Sequence, residues 1–272
     1  MPQLGDNRWG KSEIRVSKIH RGESRDDFSD VTVQVLLRGD VDAAHLSGDN
    51  QGVLPTDTMK NTVYALAQDH LGRDLEGFAT HLCVWFLGRP GVGAATVNVA
   101  ERLWQRVSDT GFLGGGSERR TAKVVVGTGE TGTWAGVEGL VVLKTRGSAF
   151  TGFPQDQFTL LPEAADRLLA TSLTANWRYD PVPMDTTSAW ETARQTLVER
   201  FFADWSASVQ HQGWLMAEAV LAAVPEMAEI TLHLPNQHHL AFDLTRFGMT
   251  DEGAVFQPVS EPYGDIGLTV VR

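Results

Sequence analysis

One order of elements runs along this chain twice, and that repetition constrains the fold more than any single residue does. In the first half, Asp30 to Leu37 sets Val31, Val33, Val35 and Leu37 at alternate positions, the pattern of a half-buried strand. Glu13 to His20 is a weaker strand candidate before it. One helix is expected from Thr56, with Met59, Val63, Leu66 and Ala67 on one side. A second is expected from Asp74 to Leu87, and strand-like runs follow around Ala95 to Trp104 and Thr121 to Gly127. The second half repeats the order. Val137 to Lys144 and Ala175 to Tyr179 read as strands, and Trp190, Ala193, Leu197, Phe201 and Trp205 form a helix face. Ser188 and Glu191 have capping-box spacing ahead of that face. Another helix covers about Ser208 to Ala223, and Ile230, Leu232 and Leu234 alternate after it. Leu240, Phe242 and Leu244 alternate again, and Gly267 to Val271 closes the chain. The expectation is an α+β protein of two domains, 1–132 and 133–272, each β-β-α-α-β-β with antiparallel sheets and helices on one face. Open sheet edges call for cover by another subunit.

The bulk numbers agree with two soluble domains. A length of 272 residues divides into halves of ordinary domain size. Hydrophobic content of 42% with 21% charged residues belongs to a folded globular chain. A formal net charge of -11 argues against a nucleic-acid or anionic-membrane binder, which needs a basic field. It leaves room for a small anionic substrate, because one Lys or Arg dominates a closed pocket. The single cysteine, Cys83, excludes an intrachain disulfide, and its helical neighbours Phe78, Ala79, Leu82 and Phe86 predict a buried, inert thiol. No apolar run approaches the roughly 18 residues that span a bilayer. The polar first ten residues and the absence of a peroxisomal C-terminal tripeptide point to the cytoplasm.

Several motifs carry less than they promise. Gly127 to Gly132 matches GxGxxG after a strand, but a dinucleotide site needs a helix next. Thr133 to Leu143 is glycine-broken and then strand-like, so the motif reads as a loop joining the halves. Gly91 to Gly93 and Gly114 to Gly116 read as turns. His238 and His239 face opposite sides of an alternating strand and cannot readily share an ion with His233. With one Cys and no HExxH, no metal site is expected.

The segment Val53-Leu-Pro-Thr56-Asp57-Thr-Met-Lys-Asn-Thr62 puts a hydroxyl and a carboxylate at a helix start, near free backbone N–H groups. Taken by itself, such a pair reads as ordinary helix capping before it reads as an anion site or proton relay. Lys11 alone reads as a surface lysine, and His238 alone as a hairpin histidine. Taken together, Trp9-Gly10-Lys11, the Thr56 segment and Leu234-Pro-Asn-Gln-His238 resemble urate oxidase, the cofactor-free uricase family, and the resemblance runs over nearly the whole chain. It implies tandem T-folds in a homotetramer around a tunnel, with active sites shared between subunits. It implies Lys11, Thr56 and His238 as a proton relay oxidising urate with dioxygen and water to 5-hydroxyisourate and hydrogen peroxide, without cofactor or metal. A hydroxyl both donates and accepts, so Thr56 suits the middle of such a relay.

Purine recognition is carried over segment by segment. Ala149 to Phe153 resembles the stretch whose first phenylalanine, Phe150, stacks on the ring, and Ala165 to Leu169 the stretch carrying the substrate arginine, Arg167. A guanidinium offers a planar fork to a carbonyl and ring nitrogen. Ser206 to Gln210 matches the segment in which Val209 gives a backbone N–H and Gln210 an amide to the opposite edge. Asn236 would hold water or dioxygen above the ring, and Asp57 would hold substrate or cap its helix. Departures are Trp9 where many members have tyrosine, His211 after the glutamine, and Gly111 to Arg120, expected to be a variable loop. Two rival readings share the architecture: a pterin- or purine-processing T-fold hydrolase, and a non-catalytic purine-binding protein.

Overall fold

A computed structural model of the chain describes residues 2–203, 205–250 and 253–272. Strands β1 (Trp9–His20) and β2 (Asp27–Gly39) lead to a short helix α1 (Asp42–Leu46), then α2 (Thr56–His70) and α3 (Leu75–Leu87). Strands β3 (Val92–Arg106) and β4 (Phe112–Gly127) complete the first half. The second half runs β5 (Gly132–Phe150), β6 (Ala164–Tyr179), α4 (Thr186–Ala203), α5 (Val209–Ala223) and β7 (Met227–His233). A small pair, β8 (His239–Ala241) and β9 (Phe256–Pro258), precedes the last strand β10 (Gly267–Val271).

The halves share one antiparallel sheet of eight strands in the order β1-β2-β3-β4-β5-β6-β7-β10, continuous through the β4–β5 pairing. Helices α2 and α3 pack on the first-half strands, and α4 and α5 on the second. Two separate cores lie between helices and sheet. The first holds Val33, Val35, Leu37, Met59, Phe78 and Phe86, and the second Val137, Leu173, Trp177, Leu197, Phe201 and Ile230. Each fully buried side chain of this size contributes roughly 1.5–3 kcal/mol of transfer free energy. Cys83 is buried in the first core, where desolvation pushes its thiol up to about 12. The opposite face is polar: Asn98 donates to Gln34 at 3.0 Å, Gln34 to Ser12 at 2.8 Å, and Lys123 lies 4.5 Å from the Trp134 ring centroid. Strands β1 and β10 are the sheet's outer strands.

The structure corrects several expectations. Gly111 to Arg120 is not a loop: β4 begins at Phe112, and Trp104 pairs with Gly114 across it. Gly114 to Gly116 therefore lie in a strand, where missing side chains hid the alternation. β6 begins at Ala164 rather than Ala175, because the long connection expected there is largely strand. Ser188 lies inside α4; the capping carboxylate is Asp185, which accepts from the Ser188 N–H at 2.9 Å. The Leu240, Phe242, Leu244 alternation ends after three strand residues and passes into a 3₁₀ turn, Leu244–Phe247. Gly93 belongs to β3, whereas Gly91, with φ of 78°, does turn the chain.

Candidate active site

The candidate residues fall into two groups, each built by a local irregularity. The first group forms around β1. Register shifts between Lys11 and Ile14, so that Lys11 opposes Val35 while Ile14 opposes Val33, with Glu13 at φ of 56°. One extra residue in a strand reverses which side chains face which way. Without the bulge, Lys11 would share the outward face; with it, Trp9 and Lys11 oppose the buried Leu37 and Val35 and face the helices. Gly10 between them lies so close to β2 that a Cβ would stand 2.1 Å from the Val35 carbonyl oxygen. Trp9 packs against the first core and donates from Nε1 to the Leu54 carbonyl at 3.2 Å, tying β1 to the segment that opens α2.

Helix α2 opens without a side-chain cap, its N-cap being Pro55. Capping therefore does not account for Thr56 and Asp57. Both are exposed at the first turn, where backbone N–H groups lack intrahelical partners. Asp57 instead accepts from Lys60 at 2.5 Å and from Asn61 at 3.0 Å. The Lys60 hydrogen bond and charge hold its carboxyl below the usual range, with smaller help from Asn61 and the charge of Lys11. Lys11, Thr56 and Asp57 thus gather at one end of α2.

The second group gathers where β5, β6, α5 and the segment after β7 meet. Near its end β5 is irregular, with register shifts after Lys144 and after Ser148, and Gly147 takes φ of 85°. The Gly147 N–H donates to Asp166 at 2.6 Å, and Ser148 then opposes Arg167. The Arg167 guanidinium carbon stands 5.2 Å from the Phe150 ring centroid, and Phe153 stacks on that ring at 4.7 Å and 14°. Arg167 Nε is buried with no partner in the chain, and burial alone draws the guanidinium below its ordinary value. A donor kept from water without an acceptor is costly, roughly 1–3 kcal/mol.

Segment 206–210 is fastened to β5: Ser206 donates to Gly147 O at 3.0 Å and Ala149 to Ser206 O at 2.8 Å. Ser208 caps α5 by accepting from the His211 N–H at 3.1 Å, which places Val209 and Gln210 in the first turn, Val209 buried and Gln210 exposed. His211 turns its Nδ1 back to accept from the Ala207 N–H at 3.1 Å, so it belongs to the cap. Asn236 bridges Thr171 and Gly264, and its N–H donates to Gly264 O at 2.8 Å. The carbonyl of His238, two residues on, accepts from Val259 at 2.9 Å.

Within one chain the groups stay apart. Lys11 belongs to edge strand β1, and Arg167 to β6, five strand spacings away. At about 4.8 Å per spacing that is roughly 24 Å along a flat sheet. His238 lies with the second group, so the expected relay is split between them. Cavities of about 580 Å³ and about 460 Å³ lie on opposite faces of the sheet, lined by none of these nine residues. Among the described residues, no three His, Cys, Asp or Glu side chains are placed to hold a metal ion. Phe153 and Asp166 were missed from the sequence; Phe153 stands inside the Phe150 segment and Asp166 beside Arg167, which was signal enough.

Two half-sheets joined edge to edge, each backed by a helix pair, define a tandem T-fold protein of the α+β class. The uricase family model matches residues 7–130 and 133–267. A uricase of Arthrobacter globiformis is 40% identical over 272 residues, covering 99% of this chain and 90% of its own length. A uricase of Dictyostelium discoideum is 35% identical over 290 residues, covering 100% and 98%. The crystal structure of the Arthrobacter globiformis uricase superposes with a TM-score of 0.96 at 39% identity, covering 100% of this chain and 96% of that one. The chain belongs to the uricase family, whose members are oxidoreductases.

Proposed function

We propose that this protein oxidises urate with dioxygen and water to 5-hydroxyisourate and hydrogen peroxide, using no cofactor. Urate gives up two electrons to dioxygen, and water supplies the hydroxyl of the product. Arg167 anchors one edge of the purine, and the Val209 N–H with the Gln210 amide reads the other. The Phe150 ring supplies a stacking surface worth roughly 1–3 kcal/mol. Fixed donors of this kind replace the hydration of a urate anion and favour the electron-rich form that dioxygen attacks. Lys11, Thr56 and His238 move the protons, Asp57 helps to hold substrate, and Asn236 holds water or dioxygen over the ring.

The observation that carries the reading is Arg167: its unpartnered, buried Nε lies beside an aromatic ring, as a planar anionic ring requires. The split between the groups supports a further part of the proposal. A second copy, docked by its β1 edge, brings Lys11, Thr56 and Asp57 to the first copy's Arg167 group, and closure of such pairs leads to a homotetramer around a tunnel. Each T-fold, 1–132 and 133–272, then serves a different site. We place the protein in the cytoplasm; among the described residues no helix is long and apolar enough to cross a membrane.

The test is the near-ultraviolet absorbance of urate over time, with metal-stripped protein, chelator, air-saturated buffer and a coupled peroxide readout. Loss of urate with equimolar peroxide is expected. Saturable urate binding without loss would replace the reading by a purine-binding protein, and absence of both would sink it.

A further inference from the structure

Lys144 is a lysine in a core. It lies on β5 opposite the buried Leu169, two residues from the buried Val142, and is itself 8% exposed. Its Nζ donates to Gln212 Oε1 at 2.6 Å and lies 5.4 Å from the Phe201 ring centroid. Gln212 is wholly buried and donates onward from Nε2 to the Arg200 carbonyl, near the end of α4, at 3.2 Å. A charged amine taken out of water costs more than a simple apolar contact returns, so plain core packing does not account for a lysine here.

What the pair connects is specific. Gln212 closes the first turn of α5, its N–H donating to Ser208 O at 3.0 Å. That turn presents Val209 and Gln210. Lys144 stands three residues before Gly147, where β5 bends, fastens to Ser206 and leads on to Phe150. One hydrogen bond therefore joins the strand that carries the stacking ring to the helix turn that carries the edge-reading amide.

We propose that Lys144 and Gln212 are positioning residues that set the spacing between Phe150 with Arg167 on one side and the Val209 N–H with Gln210 on the other. This rests on the urate reading of the same site. A purine is rigid, so a pocket that reads both its edges depends on this spacing and cannot adapt by bending the ligand. Errors near 1 Å in such placement cost up to about a hundredfold.

The test is the double variant Lys144→Met/Gln212→Met, which removes this hydrogen bond, and with it the Gln212 bond to the Arg200 carbonyl, while keeping the volume filled. The expected result is a Tm within a few degrees of wild type, a urate KM raised about tenfold, and kcat within about threefold. Amide exchange over 206–212 should accelerate about tenfold while the first half is unchanged. Lys144→Arg keeps a donor and should hold KM within about threefold of wild type. Unchanged KM with a folded double variant overturns the proposal, as does a double variant that fails to fold, since the pair would then be structural. If the wild type shows no urate turnover, the functional reading fails by itself, and the exchange rate over 206–212 still decides whether the pair holds this turn.

Discussion

The two groups of candidate residues are held in opposite ways. Around Arg167, backbone and side-chain hydrogen bonds cross between β5, β6, segment 206–210 and Asn236; Phe150, Arg167 and Asn236 are half-buried, Val209 is buried and Gln210 is exposed. Around Lys11, a strand bulge and one indole hydrogen bond to Leu54 support exposed side chains at the start of α2. The first arrangement suits recognition, where geometry must exist before the ligand arrives. The second suits proton transfer by groups that acquire their final surroundings only when something covers them. On the proposed reading, with Lys11 and Thr56 in one group and His238 beside Arg167 in the other, turnover depends on assembly while the integrity of either half does not.

The largest expected effect tests the proton side of that contrast. Lys11→Ala should lower kcat by about 10²–10⁴-fold while urate affinity moves little, measured by steady-state kinetics beside equilibrium binding. Equal losses in both would mean that Lys11 recognises substrate and would erase the contrast. Next, Arg167→Ala should weaken urate binding by about 1.5–3 kcal/mol, read as a rise in Kd by titration. Unchanged affinity would remove Arg167 from the site. Phe150→Leu retains an apolar surface but loses the ring, so a smaller loss of about 1 kcal/mol in urate affinity is expected from the same titration.

The smallest effect lies outside both groups. Glu101 lines the cavity of about 580 Å³, and burial pushes its carboxyl up to about 7 against the pull of Arg120. Arg120, which opposes Glu101 across β3 and β4, is hydrogen-bonded to the buried Glu76 at 2.7 Å, and its pull on Glu101 does not offset the burial. A carboxyl with a raised folded value favours the protonated fold. Its contribution is therefore complete below about 4.5 and is lost as pH rises through about 7. Glu101→Gln should melt higher than wild type at about pH 8, with the difference vanishing near pH 4, by thermal unfolding. Urate kinetics should not change; if they do, the interior of the first half is coupled to the exposed group, and the contrast is too sharp.

Much of this was legible before any coordinates. The starts of α2 near Thr56 and of α5 near Ser208 followed from the spacing of apolar residues, although the cap itself at Ser208 was not read and capping does not account for Thr56 and Asp57. The site residues were legible only as family segments, since no single Lys, Thr or His is diagnostic. The bulge that turns Lys11 toward the helices left no trace, because Glu13 takes a left-handed φ with no glycine to mark it. Gly114 to Gly116 concealed a strand for the opposite reason, by suggesting a turn that β-pairing overrides. Lys144 was visible as an inward-phase residue beside Val142, but a lysine in a strand is assigned to solvent by default.

The most direct test of a site divided between chains is complementation. Lys11→Ala and Arg167→Ala chains, each nearly inactive alone, are co-expressed and the mixed assemblies assayed for urate oxidation. Recovery well above either variant is expected, because hybrid assemblies contain sites with an intact Lys11 from one chain and an intact Arg167 from another. Activity no higher than the two variants alone, in assemblies shown to contain both chains, would contradict the account.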